Sequence, residues 1–197
     1  FANTGLVDFV IPNNVTNLGK NMFLECSKLK NVTLPSAFRI FNSTWFVNCP
    51  QLESIKIDGE HKDFISAGNN LLSKDGTALV FGVKDSHIPS SVTVIASNAY
   101  AGRGIESIVI PNGVQELEKQ VFWQCKNLTT INIPKSLTKI GSSTFKACEK
   151  LATINFDGTT EEWKSIIKGS DWDYKTGEYT VNCSNGKLDK KGNTIPE

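Results

Sequence analysis

The sequence predicts an α/β repeat solenoid with short parallel strands on its concave face, one inserted β-hairpin and a C-terminal helical cap. Three observations carry that expectation. Cys26 and Cys49 lie 23 residues apart, as do Cys125 and Cys148. At the same step Leu6, Leu29 and Leu52 coincide, as do Ile105, Leu128 and Leu151, with Pro12 on Pro35, Pro111 on Pro134, Phe23 on Phe46 and Phe122 on Phe145. Each copy also contains a short alternating apolar run stopped by proline. Self-similarity at a fixed period marks stacked repeats, because one unit cannot bury its apolar residues alone.

The consensus is L-x-x-I-x-I-P-x-x-[VL]-x-x-[IL]-x-x-x-x-F-x-x-C-x-x, clearest from Leu128 through Ile131, Ile133, Pro134, Leu137, Ile140 and Phe145 to Cys148. Near-complete copies start at Leu6, Leu29, Ile105 and Leu128. A further copy at Val83 is one residue short, and partial copies start at Leu52 and Leu151. The I-x-I-P segment alternates at period 2 and ends at a residue that cannot donate to a sheet ladder, so it reads as a strand of three or four residues. F-x-x-C reads as one turn of α- or 3₁₀-helix. Stacking should join the strands into one long parallel sheet.

Two segments break the period. In the first, Asp75-Gly76 separates Asn70-Leu71-Leu72-Ser73 from Ala78-Leu79-Val80-Phe81, which predicts a hairpin bulging from the solenoid at about 60–82. In the second, a cap is expected at about 157–186. Thr159 and Glu162 have capping-box spacing, Trp163, Ile166 and Ile167 have helical spacing over the open end of the stack, and Gly169 reads as the C-cap. Tyr179, Val181 and Cys183 alternate as a terminal strand. The expected organisation is a single solenoid over 1–186 and a polar tail over 187–197. The N-terminal end shows no matching cap, which predicts repeats before Phe1.

Composition narrows the function classes. Of 197 residues, 39% are hydrophobic, which permits a core, and 21 Lys plus Arg against 20 Asp plus Glu leave a net charge of +1. No overall field therefore favours nucleic acid or an anionic membrane, and no apolar run reaches the roughly 18 residues of a membrane span. Five cysteines exclude a fully paired disulfide framework. With coils about 4.8 Å apart and parallel Cβ vectors, Cys26, Cys49, Cys125 and Cys148 read as a buried ladder of free thiols. His61 and His87 share no metal-ligand spacing with cysteine or carboxylate, and no phosphate loop or nucleophile motif is legible. No cofactor is expected. Trp45, Trp123, Trp163 and Trp172 read as packing residues before platforms.

The repeat resembles the BspA-like leucine-rich repeat family of mostly bacterial cell-surface proteins, over about residues 6–186. Asn70 to Thr77 is similar to an insert that interrupts such repeats. Gly158 to Trp163 with Gly169 to Trp172 resembles a terminal segment that follows them. Asp58 in place of proline, and Tyr100 with Gly102 in the short copy, depart from the pattern. The resemblance implies a leucine-rich-repeat solenoid, an extracellular or cell-surface location and a role in adhesion, and it supplies no catalytic residue.

The outward strand positions form the expected binding surface: Asn31 and Thr33, Ser54 and Lys56, Asp85 and His87, Ser107 and Val109, Thr130 and Asn132, Thr153 and Asn155. These side chains are small, polar and nearly neutral, which suits broad multivalent contact with an extracellular protein or glycan. A structural spacer and an accessory domain of a glycan-processing enzyme are the competing readings.

Overall fold

The computed structural model describes residues 1–196. Its strands are β1 (Asp8–Val10), β2 (Asn31–Pro35), β3 (Ser54–Asp58), β4 (Phe64–Ala67), β5 (Asn70–Ser73), β6 (Ala78–Phe81), β7 (Val94–Ile95) and β8 (Ser107–Val109), followed by β9 (Glu116–Leu117), β10 (Thr130–Ile133), β11 (Lys139–Ile140), β12 (Thr153–Phe156), β13 (Ile167–Lys168), β14 (Thr180–Cys183), β15 (Gly186–Leu188) and β16 (Thr194–Ile195). Helix is confined, among the described residues, to α1 (Thr160–Ser165) and a 3₁₀ turn at Ser43–Phe46. The coils stack as a solenoid with mostly parallel strands.

The I-x-I-P strands pair in the predicted register. Asn31 lies opposite Ser54, and Thr130 opposite Thr153, so residues 23 apart become neighbours. They do not make one sheet. One ladder has the order β1-β2-β3, and a second runs β16-β15-β14-β12-β10-β8. The interruption falls at the short copy, where Asp85 adopts a left-handed backbone with φ 57°. That conformation cannot continue a strand, so Asp85 and His87, expected on the strand surface, lie in a loop instead.

A third ladder, parallel along β7-β9-β11-β13, forms on the [IL] column of the repeat, where Ile95, Leu117 and Ile140 point inwards. Strands of two residues are too short to leave an alternation signal. The inserted segment joins this ladder and does not bulge from it. It is a three-stranded antiparallel meander, β4-β5-β6, and β6 pairs in parallel with β7. Leu71, Leu72, Leu79 and Phe81 are buried as a result.

The F-x-x-C segments are tight turns, except for the 3₁₀ turn ending at Phe46. Two positions per coil explain the difference from the helical expectation. Asn21, Asn98, Gln120 and Ser143 precede the aromatic by two residues, and Glu25, Asn48, Gln124 and Ala147 precede the cysteine by one; all have positive φ. Left-handed residues interrupt helical hydrogen bonding and turn the chain back towards the next strand.

At the C-terminus the capping box is present: Thr159 accepts from the Glu162 amide and Glu162 reaches back to the Thr159 amide. Trp163 and Ile166 are buried, but Ile167 is 67% exposed because the helix ends at Ser165 and the chain passes into β13. Gly169 is therefore not a C-cap. A Cβ there would lie 2.4 Å from the Ser142 amide nitrogen, so glycine permits close contact between coils. The segment read as a polar tail carries most of β15 and all of β16: β15 pairs antiparallel with β14, β16 pairs antiparallel with β15, and Leu188 is buried.

Candidate functional site

The two concave ladders set the candidate surface out in rows. On the first, Asn31 donates to Asp8 across β1 and β2 at 2.6 Å, and Thr33 lies opposite Lys56. On the second, amides form a chain along the stack: Asn155 donates to Asn132 at 2.7 Å, and Asn182 donates to Asn155 at 2.9 Å. Thr130, Thr153 and Thr180 make the parallel row beside it. Parallel register repeats one side chain per coil, and each amide can both donate and accept, so identical neighbours satisfy one another.

Ten of the twelve expected surface residues therefore lie on strands, four on the first ladder and six on the second. The other two change role. Asp85 and His87 line a groove of about 390 Å³ whose opposite wall is Ser107 and Val109 of β8. β8 is an edge strand, and Val109 is 64% exposed. The β3 edge facing the same interruption is occupied, since Ile55 and Ile57 donate to Asn69 and Ser66 of the insert.

The cysteine column lies inside the coils. Cys26, Cys49, Cys125 and Cys148 are buried, and each thiol donates to a main-chain carbonyl of the preceding coil; Cys49 reaches Phe23 at 2.9 Å and Cys148 reaches Phe122 at 3.1 Å. Burial pushes the Cys49 thiol up to about 11 and the Cys125 thiol up to about 12. Thiols held protonated in this way are poor nucleophiles. Only Cys183 is half-buried.

In the short copy the cysteine position is taken by Arg103, which is buried and donates to the carbonyls of Phe46, Gly82 and Ala101. Burial lowers its pKa from the ordinary value. Sequence reasoning missed this residue although it stands 20 residues after Val83, as Cys148 stands 20 after Leu128, because an arginine does not mark an apolar column. Trp45 and Trp163 are core residues, whereas Trp123 and Trp172 are half-buried. His61 is buried between the rings of Phe38 and Phe64, bonded through Nε2 to the Phe38 carbonyl and accepting at Nδ1 from the Asp63 amide. Both ring nitrogens serve packing.

A cavity of about 380 Å³ in the C-terminal cap lies outside the expected binding surface, and the sequence marks Trp163, Trp172, Tyr179 and Val181 of its lining only as packing and strand residues. Part of its wall comes from the segment read as a tail, and no spacing pattern marks it. Among the described residues there is no cluster of His, Cys, Asp and Glu able to hold a metal, and no helix is long and apolar enough to cross a membrane.

The sequence matches the BspA type leucine-rich repeat region in six copies, over residues 1–74 and 81–168. Among solved structures, a leucine-rich repeat protein from Eubacterium ventriosum ATCC 27560 is similar, with 28% identity and a TM-score of 0.63 over 76% of this chain and 42% of that one. The pneumococcal vaccine antigen PcpA shares the fold at 16% identity, with a TM-score of 0.54 over 98% of this chain and 61% of that one. The chain spans less than two thirds of either structure. No curated protein sequence matches it. With six copies recognised and their 23-residue register realised as parallel strand pairs, the chain belongs to the BspA-type leucine-rich repeat family.

Proposed function

We propose that the domain is a non-catalytic recognition and adhesion module, displayed outside the cell or on its surface, that engages a surface protein or glycan through its concave strands. The observation that carries this reading is the row arrangement of the second ladder, where Thr130, Thr153 and Thr180 run beside Asn132, Asn155 and Asn182. Polar groups repeated once per coil suit a partner that repeats as well, bound by many weak contacts. Membership of a family of cell-surface repeat proteins supports the location. The groove between Asp85 and Val109 adds an irregular feature to an otherwise repetitive surface.

The test is an array of host and microbial surface proteins and glycans probed with the isolated domain. Lys56→Ala and His87→Ala should each weaken binding modestly, and joint replacement of Lys56, His87 and Asn132 by Glu should abolish it. Because Lys56 lies on the first ladder and His87 in the groove, the two single changes also report which of those patches is used. A domain that binds nothing on the array would favour the spacer, and release of sugar from a glycan would favour the enzyme accessory.

A further inference from the structure

The cavity in the C-terminal cap is assembled by segments that meet only in the folded chain: α1 with β13, the loop after β13, β14, and the β15–β16 turn. Four lysines line it, Lys164, Lys168, Lys190 and Lys191, against two carboxylates, Asp173 and Asp189. Both carboxylates are already engaged. Asp173 accepts from the Tyr179 hydroxyl at 2.8 Å, and Asp189 accepts from the amide and side chain of Asn193. The rim adds one acid, Glu178, 3.6 Å from Lys190. In a chain whose net charge is +1, this is a local concentration of cations.

Two of the lysines are held in place. The Lys168 ammonium donates to the carbonyls of Trp163 and Ile166 at the end of α1 and stands 4.7 Å from the Trp163 ring and 5.9 Å from the Trp172 ring. Lys190 donates to the carbonyls of Thr176 and Gly177 and lies over Tyr179. An ammonium has three N–H groups, so Lys168 retains one for a ligand, while the third of Lys190 lies beside Glu178. Half-burial pushes the Lys168 pKa down to about 8, and an anion beside it would offset that desolvation. Trp172, half-buried and edge-on to Trp163 and Tyr179, supplies an apolar wall.

We propose that this cavity binds an acidic monosaccharide unit, a pyranose ring carrying a carboxylate. The lysines receive the acid, the indole of Trp172 covers the apolar face of the ring, and the remaining lone pairs of Asp173 and Asp189 accept sugar hydroxyls. The volume lies in the range of small-molecule sites and accommodates one such ring. Side chains fixed before binding lose little entropy when the ligand arrives. None of the lining residues belongs to the outward strand rows, so this site stands or falls independently of binding there.

The test is titration of the whole chain with glucuronate and galacturonate, with glucose and inorganic sulfate as controls, following the indole N–H resonances. The expected result is saturable movement of the Trp172 signal by the uronates, with a Kd of about 1 mM or tighter and weaker binding as salt rises. Glucose should bind about tenfold more weakly or not at all, and Lys168→Met should weaken uronate binding about tenfold. If Lys168→Met perturbs the cap, the exposed pair Lys164→Met with Lys191→Met decides, with an expected weakening of about threefold or more. Equal binding of glucose, equal binding of sulfate, or uronate binding unchanged in the lysine pair would each overturn the proposal.

Discussion

Arg103 donates from its guanidinium to the main-chain oxygen of Phe46, 57 residues earlier in the chain, while its Cζ stands 4.4 Å over the ring of Phe81. Phe46 and Phe81 belong to the N-terminal apolar cluster and Tyr100 to the C-terminal one, so the arginine clasps the two halves where the strand ladder is interrupted. Arg103→Ala would leave a cavity and strand the carbonyls of Phe46 and Gly82, at a cost of about 3–5 kcal/mol. Arg103→Cys, which restores the repeat consensus, should also destabilise, since a thiol is too short to replace three hydrogen bonds. Thermal unfolding of the two variants checks this; a neutral Arg103→Cys would show that the clasp is dispensable.

Phe122 and Phe145 stack across neighbouring coils with centroids 5.4 Å apart and planes 8° from parallel, the contact that the 23-residue register predicts. Phe145→Ala should cost about 3–5 kcal/mol through lost burial and an unfilled cavity. Urea denaturation should show a lower midpoint at an unchanged slope. Phe145 also packs edge-on against Trp172, so indole emission should shift in the folded variant.

The buried thiols predict an alkaline decline in stability. Their ordinary pKa is 9.0 and the folded values are higher, so between pH 9 and about 11 to 12 the unfolded chain gives up protons that the folded chain keeps. The stabilisation is complete below pH 9 and is lost as pH rises through the folded values, at up to about 1.4 kcal/mol per pH unit for each thiol. Lys168, with its pKa lowered to about 8, works in the opposite sense between pH 8 and its ordinary 10.5. The measurement is therefore a difference: Cys125→Ala should flatten the alkaline slope by about one proton relative to the parent. In native alkylation at neutral pH, Cys183, half-buried, should react before the four column cysteines, which should react only on unfolding.

The cap predicts an inversion of the usual ranking of helix-end substitutions. Thr159→Ala removes a side-chain acceptor from the first turn of α1 and should cost about 1 kcal/mol. Gly169→Ala places a methyl against the Ser142 amide nitrogen and the Gly141 carbonyl carbon, backbone atoms that cannot swing aside, and should cost about 1–3 kcal/mol. Denaturant midpoints of the two variants compare them directly; equal or reversed effects would mean that β13 can retreat from the preceding coil.

What could be read from the amino-acid sequence of this protein was whatever recurs at a fixed step. The opposition of Asn31 to Ser54, the stack of Phe122 on Phe145, the buried cysteine column and the Thr159 capping box all follow from spacing, because each coil meets mainly the next and writes the same contact into the same column. The outward rows of the candidate surface were legible for the same reason. The interrupted ladder, the groove beside Val109, the β15–β16 addition and the lysine-lined cavity were decided by the tertiary structure. Asp85 breaks a strand through its backbone conformation, and Asn, Gln, Ser and Ala share the left-handed positions, so residue identity there is a weak signal. Arg103 meets Phe46 although 57 residues separate them in the chain, and Lys168 and Lys190 come together only when the terminal strands fold back. Contacts of this kind occur once, at no repeated spacing, and only the packed chain brings them into being.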